Sequence, residues 1–89
     1  MKSVTTERFR KAYSLLPQDI KTAAKNTYNL WKKHPSHSSF RFKKIHQSKP
    51  IYSIRIGLSY RAVGVKSKDT IIWFWIGNHN DYDNLISNL

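Results

Sequence analysis

Two arginines, a histidine and a tyrosine are the side chains of this sequence best equipped for chemistry: Arg55, Arg61, His79 and Tyr82. They sit on or just beyond three strand-like runs, Tyr-Ser-Ile-Arg-Ile from Tyr52, Tyr-Arg-Ala-Val-Gly-Val from Tyr60, and Ile-Ile-Trp-Phe-Trp-Ile-Gly-Asn-His from Ile71. Short turns between the runs bring the four side chains to one neighbourhood. Guanidinium groups bind a phosphate through two parallel hydrogen bonds. Imidazole exchanges its proton near neutral pH and serves as a general base or acid. A phenol ring stacks on a nucleobase, and its hydroxyl can touch phosphate. Each residue also has a plainer reading. Either arginine could pair with Asp69, Asp81 or Asp83, His79 could make a structural hydrogen bond near a helix start, and Tyr82 could be a core residue.

The chemistry these groups permit is metal-independent cleavage of RNA. A base removes the proton of a ribose 2′-hydroxyl, the oxygen attacks the adjacent phosphorus, cations stabilise the added negative charge, and an acid protonates the leaving 5′-oxygen. RNA supplies its own nucleophile, so DNA would not be cut. The alternatives are thinly supported. No glycine-rich phosphate loop, nucleophile elbow or paired carboxylate occurs. Five acidic residues are too few to favour a two-metal nuclease. His34, His37 and His46 are scattered, with no carboxylate near, so no metal site and no cofactor are expected.

Positioning such a site requires elements, and the periodicity predicts them. Phe9, Ala12, Tyr13 and Leu16 make one apolar stripe of a helix over 5–16, with Thr5 or Thr6 as its cap. Pro17 interrupts it. A second helix is expected over 18–33, with Asp19 in its first turn, Lys32 and Lys33 in its last, and Ile20, Ala24, Thr27 and Trp31 as its buried stripe. Lys21, Lys25 and Lys32 lie elsewhere on it, as a solvated face or a nucleic-acid ridge. After a loop of His, Pro and Ser, the residues from Phe40 to Ile45 alternate apolar and basic and read as a short or edge strand. Arg41, Lys43, Lys44 and His46 form a second basic patch there, a candidate RNA-binding surface.

Ile51 to Ile56 alternates cleanly, with Tyr52, Ile54 and Ile56 on one face and Ser53 and Arg55 on the other. Tyr60 to Val65 is the next strand. Thr70 to Ile76, apolar on both faces, reads as the central, doubly covered strand. Gly77 and Asn78 end it, and a short helix over 80–89 closes the chain. The expected fold is α+β: a two-helix hairpin on one face of a four-stranded, mainly antiparallel sheet, with a short C-terminal helix. The sheet's other face is then partly open and lined by basic residues.

Size and charge agree with this reading. The chain has 89 residues, enough for one domain over 1–89 with a modest core. Sixteen Lys and Arg against five Asp and Glu leave a net charge of +11, which calls for a polyanionic partner: RNA, DNA or a strongly acidic protein. No low-complexity tail holds this charge, so it belongs to the folded body. The absence of cysteine excludes disulfides and thiolate zinc sites and suits a reducing cytoplasm. No apolar run approaches the length of a membrane span, so a soluble, cytoplasmic protein is expected.

The two N-terminal helices, the meander with Tyr52-Ser53-Ile54-Arg55-Ile56 and Tyr60-Arg61-Ala62-Val63, and the strand end Ile76-Gly77-Asn78-His79 with Tyr82 resemble the RelE/ParE toxin superfamily over nearly the whole chain. The resemblance implies a toxin of a type II toxin–antitoxin pair. Its RelE-like branch comprises endoribonucleases that cut mRNA in the A site of the 70S ribosome and so inhibit translation. Its ParE-like branch poisons DNA gyrase. Both are neutralised by an acidic antitoxin that wraps the toxin in a hetero-oligomer. By position, the resemblance makes Arg61 the arginine of the Tyr-Arg strand, Arg55 a basic residue of the preceding strand, and His79 the occupant of an arginine or histidine position. Tyr82 lies near a C-terminal catalytic aromatic. Two features depart from the pattern. Ser53 stands where the RelE prototype has a lysine, and Ser3-Val4-Thr5 is barely long enough for the usual N-terminal strand. The favoured expectation is an mRNA interferase. A gyrase inhibitor of the same fold and a nonenzymatic, basic nucleic-acid-binding domain are the alternatives.

Overall fold

A computed structural model describes all residues, 1–89. The elements run β1 (Lys2–Thr5), α1 (Glu7–Ser14), α2 (Gln18–Lys33), a single 3-10 turn (Ser38–Phe40), β2 (Lys43–Lys44), β3 (Ile51–Ile56), β4 (Tyr60–Ser67), β5 (Thr70–Asn78) and α3 (His79–Ser87). Thr6 caps α1 by accepting a hydrogen bond from the Phe9 amide at 3.1 Å. That helix stops at Ser14, two residues short of the expected end, and Pro17 stands immediately ahead of α2. Proline suits that place because its missing N–H is one that a helix start would leave unbonded anyway. The α2 boundaries match the expected 18–33. Ala24 and Trp31 are buried on its inner stripe, while Ile20 and Thr27 are half-buried. Tyr13 donates its hydroxyl hydrogen to the Lys21 carbonyl at 3.3 Å, which ties the two helices together.

The sheet has five strands in the order β1-β5-β4-β3-β2. The strand beyond the expected four is β1, which lies parallel to β5 with Val4 opposite Ile72. Its residues are mostly exposed, so no apolar alternation marks it in the sequence. The other pairings are antiparallel. Two further expectations need correction. The strand over Phe40–Ile45 shrinks to Lys43–Lys44, and Phe40 lies in the 3-10 turn. Phe40 and Phe42 both pack on the helix-side core, which mimics strand alternation without a ladder. The central strand is β4 rather than β5. The apolar character of β5 reflects cover on both faces: Ile71, Trp73 and Ile76 join the helix-side core, and Phe74 and Trp75 join a second cluster with Ile51, Val63 and Tyr82.

A bulge makes this two-sided arrangement possible. Val63 pairs with Trp75 and Gly64 with Trp73, so Phe74 has no partner in β4 and the alternation of β5 is reset there. Gly64 is required beside the bulge. A Cβ at that position would lie 2.8 Å from Ile71 Cγ2 and 2.9 Å from Trp73 Cε3. On the helix side, Trp31 meets Trp73 and Phe42 edge-on, with ring centroids 5.5 and 5.6 Å away. On the other side, Leu85 and Ile86 of α3 cover Ile51 and Val63. The remainder of that face is left open.

Candidate active site

Arg55 and Arg61 are direct cross-strand partners on β3 and β4. Both point away from the α1–α2 layer, because their neighbours Ile54, Ile56 and Ala62 fill the helix-side core. Like charges placed directly opposite one another weaken a sheet. Neither guanidinium is paired with a carboxylate. Arg55 Nε donates to the Gly57 carbonyl at 3.0 Å, and Arg61 Nη1 donates to the Tyr60 carbonyl at 2.9 Å. Each guanidinium has five N–H donors, so these bonds leave others available to a ligand.

The two arginines line a cleft of about 240 Å³ together with Arg41, Lys43, Ser53, His79 and Tyr82. Four cations and an imidazole thus share one concavity, and no carboxylate lines it. Arg41 reaches the rim from the residue after the 3-10 turn, where its backbone has a φ of 47°. A left-handed conformation is unfavourable for a side chain of this type and tends to be kept where the position serves a site. Lys43 enters through register, since it is the cross-strand partner of Ser53. A cleft lined by one sign of charge raises the local concentration of anions.

His79 is the first residue of α3. Its backbone N–H donates to the Ser59 carbonyl at 2.7 Å, which holds the start of the helix against the β3–β4 turn. Asn78 caps the helix by accepting from the Asp81 amide at 2.8 Å. The imidazole stands edge-on to the Tyr82 ring, with centroids 6.1 Å apart, and its Nδ1 lies 3.1 Å from Asp83 Oδ2. No other carboxylate lies within 4.0 Å of a basic side-chain nitrogen.

Tyr82 takes the plainer of its two expected places, in the core beneath the cleft. It is only 7% exposed, and its hydroxyl donates to the buried Ser53 Oγ at 3.1 Å. The Arg61 guanidinium lies over the ring, 5.8 Å from its centroid. The ring is a wall of the cleft, with little of its face open to a nucleobase. The second basic patch divides. Arg41 and Lys43 line the cleft, whereas Lys44 and His46 do not. Lys44 pairs with Tyr52, a residue of the helix-side face. His46 Nδ1 accepts from the Ser48 and Lys49 amides at 3.1 and 2.9 Å, so the ring shapes a turn. The sequence reading considers Asp83 only as a partner for arginine. The i, i+4 spacing from His79 at a helix start was the available signal for the contact that the structure contains.

The family model of the ParE-like toxin domain matches residues 18–84. The fold is shared with a chain of the RelB-RelE antitoxin-toxin complex from Methanococcus jannaschii, at a TM-score of 0.74 and 22% identity, covering 92% of this chain and 96% of that one. It is shared likewise with a chain of the archaeal RelE-RelB complex from Pyrococcus horikoshii (TM-score 0.69, 16% identity, 86% of this chain and 92% of that one). The isolated RelE toxin of E. coli aligns over 98% of this chain and 96% of its own, with a TM-score of 0.67 and 15% identity. At these identities the likenesses establish the fold. No curated protein matches in sequence.

Proposed function

This chain belongs to the ParE-like toxin domain family, and from that membership we propose that it is the toxin of a toxin–antitoxin pair and acts as a metal-independent endoribonuclease on mRNA. The observation that carries the reading is the cleft: Arg41, Lys43, Arg55 and Arg61 around His79, with no carboxylate in the lining. The phosphodiester sits between the two facing arginines, whose mutual repulsion it relieves. His79 takes the proton of the 2′-hydroxyl, the 2′-oxygen bonds to phosphorus, and the bond to the 5′-oxygen breaks. The leaving oxygen takes its proton from the Lys43 ammonium. The products are a 2′,3′-cyclic phosphate and a 5′-hydroxyl. Arg55 and Arg61 stabilise the extra charge of the transition state. Lys43 also offsets a departure from the RelE pattern, because it brings a cation beside Ser53 from the neighbouring strand.

The partner proposed is an acidic antitoxin, which suits a chain of net charge +11, in keeping with the RelB partner of the archaeal RelE proteins of this fold. No helix is long and apolar enough to cross a membrane, and action on mRNA and the ribosome would place the protein in the cytoplasm. The test is cleavage of a short RNA by purified protein, with 5′ ends mapped in cells after induced expression. His79→Ala should slow cleavage by about 10²-fold or more and Arg61→Ala by about 10²-fold. A 2′-deoxy residue at the cut site should abolish it. Variants that cut and arrest growth like wild type would refute the assignment. The ParE-like family description and Ser53 favour a second reading, inhibition of DNA gyrase. An SOS response with intact transcripts would select it.

A further inference from the structure

We propose that Asp83 is a positioning residue that fixes the tautomer and orientation of His79, so that Nε2 is presented to the cleft as a proton acceptor. The proposal rests on the reading of His79 as the group that moves the proton. The geometry is a one-turn relay on α3. Asp83 Oδ2 lies 3.1 Å from His79 Nδ1 at i, i+4 spacing. A carboxylate only accepts, so Nδ1 carries the hydrogen in this contact. In the neutral ring the remaining nitrogen, Nε2, is then an acceptor, which is what a general base requires. A carboxylate behind a histidine acts this way in hydrolytic triads, by selecting the tautomer and holding the ring rather than by taking a proton.

Both side chains are about half exposed (49% and 59%), and an exposed helix pair contributes little to stability; three observations give this one a positioning role. The first is selectivity. Sixteen Lys and Arg outnumber five Asp and Glu, yet the single carboxylate contact within ion-pair distance is made to a histidine. The second is the rest of the clamp. The backbone of His79 is held by the Ser59 carbonyl at 2.7 Å, and one side of its ring meets Tyr82 edge-on. Tyr82 is itself anchored through its bond to buried Ser53. Asp83 supplies the remaining constraint, on rotation of the ring about the Cβ–Cγ bond. The third is placement. Asp83 is not among the cleft-lining residues, so it acts on the imidazole without offering a negative charge to the phosphate.

The test uses the full-length protein and its Asp83→Ala and Asp83→Glu variants. Nitrogen-15 NMR of the imidazoles, with His79 assigned through His79→Gln, reads the tautomer directly. The wild type should show His79 mainly as the Nδ1–H form. Asp83→Ala should move it toward the Nε2–H form that free imidazole prefers, and Asp83→Glu should restore the wild-type pattern. In single-turnover cleavage of a short RNA, Asp83→Ala should be roughly 10-fold to 100-fold slower, a part of what a general base supplies. Its RNA affinity should be equal or slightly higher, because a negative charge has been removed. An unchanged His79 tautomer in Asp83→Ala overturns the proposal. So does a loss of rate matched by an equal loss of RNA affinity and of thermal stability, the mark of a merely structural pair. A tautomer shift in a protein whose wild type leaves RNA intact supports the role of Asp83 and refutes the nuclease reading instead.

Discussion

Tyr82 lines the candidate cleft as part of its buried framework. Its hydroxyl is bonded to Ser53 Oγ, and both residues are buried. Tyr82→Phe keeps the ring that supports Arg61 and His79 but strands the Ser53 hydroxyl. It should cost about 1–3 kcal/mol and lower Tm by about 4 °C or more, read by thermal unfolding, while cleavage stays near wild type. A large loss of cleavage with little change in Tm would return Tyr82 to the reacting groups. The four residues singled out in the sequence do line one cleft. What could not be read was their burial. A tyrosine three residues beyond a histidine looks the same in sequence whether its ring faces solvent or the underside of a sheet. His46 shows a related limit: a histidine beside lysines suggests an anion site, and nothing in the sequence tells that its Nδ1 accepts from the Ser48 and Lys49 amides.

The elements were legible where periodicity is strong. The α2 boundaries and the β3 alternation needed only the 3.6-residue and two-residue repeats. Legibility failed where tertiary contact overrides local pattern. The short edge strand β1 buries almost nothing, and Phe40 and Phe42 reach the core from irregular backbone. The β5 bulge was invisible for the same reason: a run apolar on both faces hides the residue at which alternation resets. The bulge depends on Gly64, where an added methyl would meet Ile71 and Trp73 side chains below 3.0 Å and the Ile72 carbonyl at 3.1 Å. Gly64→Ala should therefore destabilise by about 1–3 kcal/mol, measured by urea unfolding. An unchanged midpoint would mean that the strand absorbs the methyl without loss. Because β4 carries Arg61, a shifted β5 should also weaken RNA binding.

The molecule as a whole is strongly cationic, and four of its sixteen Lys and Arg line one cleft. If Arg41, Lys43, Arg55 and Arg61 each neutralise one phosphate, the affinity for single-stranded RNA should fall with salt at a log–log slope of about −3. Arg41→Ala should reduce that slope by about 0.7, and Lys44→Ala should leave it nearly unchanged, since Lys44 lies outside the cleft. Fluorescence titrations at several ionic strengths would measure both, and equal effects from the two substitutions would mean that a diffuse surface, rather than the cleft, holds the RNA.

The reset in β5 has an optical consequence. It separates the indoles: Trp31 and Trp73 lie in the helix-side layer, while Trp75 is turned to the opposite face, with its ring centroid 6.3 Å from that of Tyr82. Trp75 is therefore a native chromophore one ring removed from the Arg61 guanidinium and the His79 imidazole. With Trp31 and Trp73 replaced by phenylalanine, its emission should change as an oligonucleotide enters, which lets occupancy be followed in real time without an attached dye. A spectrum indifferent to saturating RNA would mean that the ligand docks elsewhere.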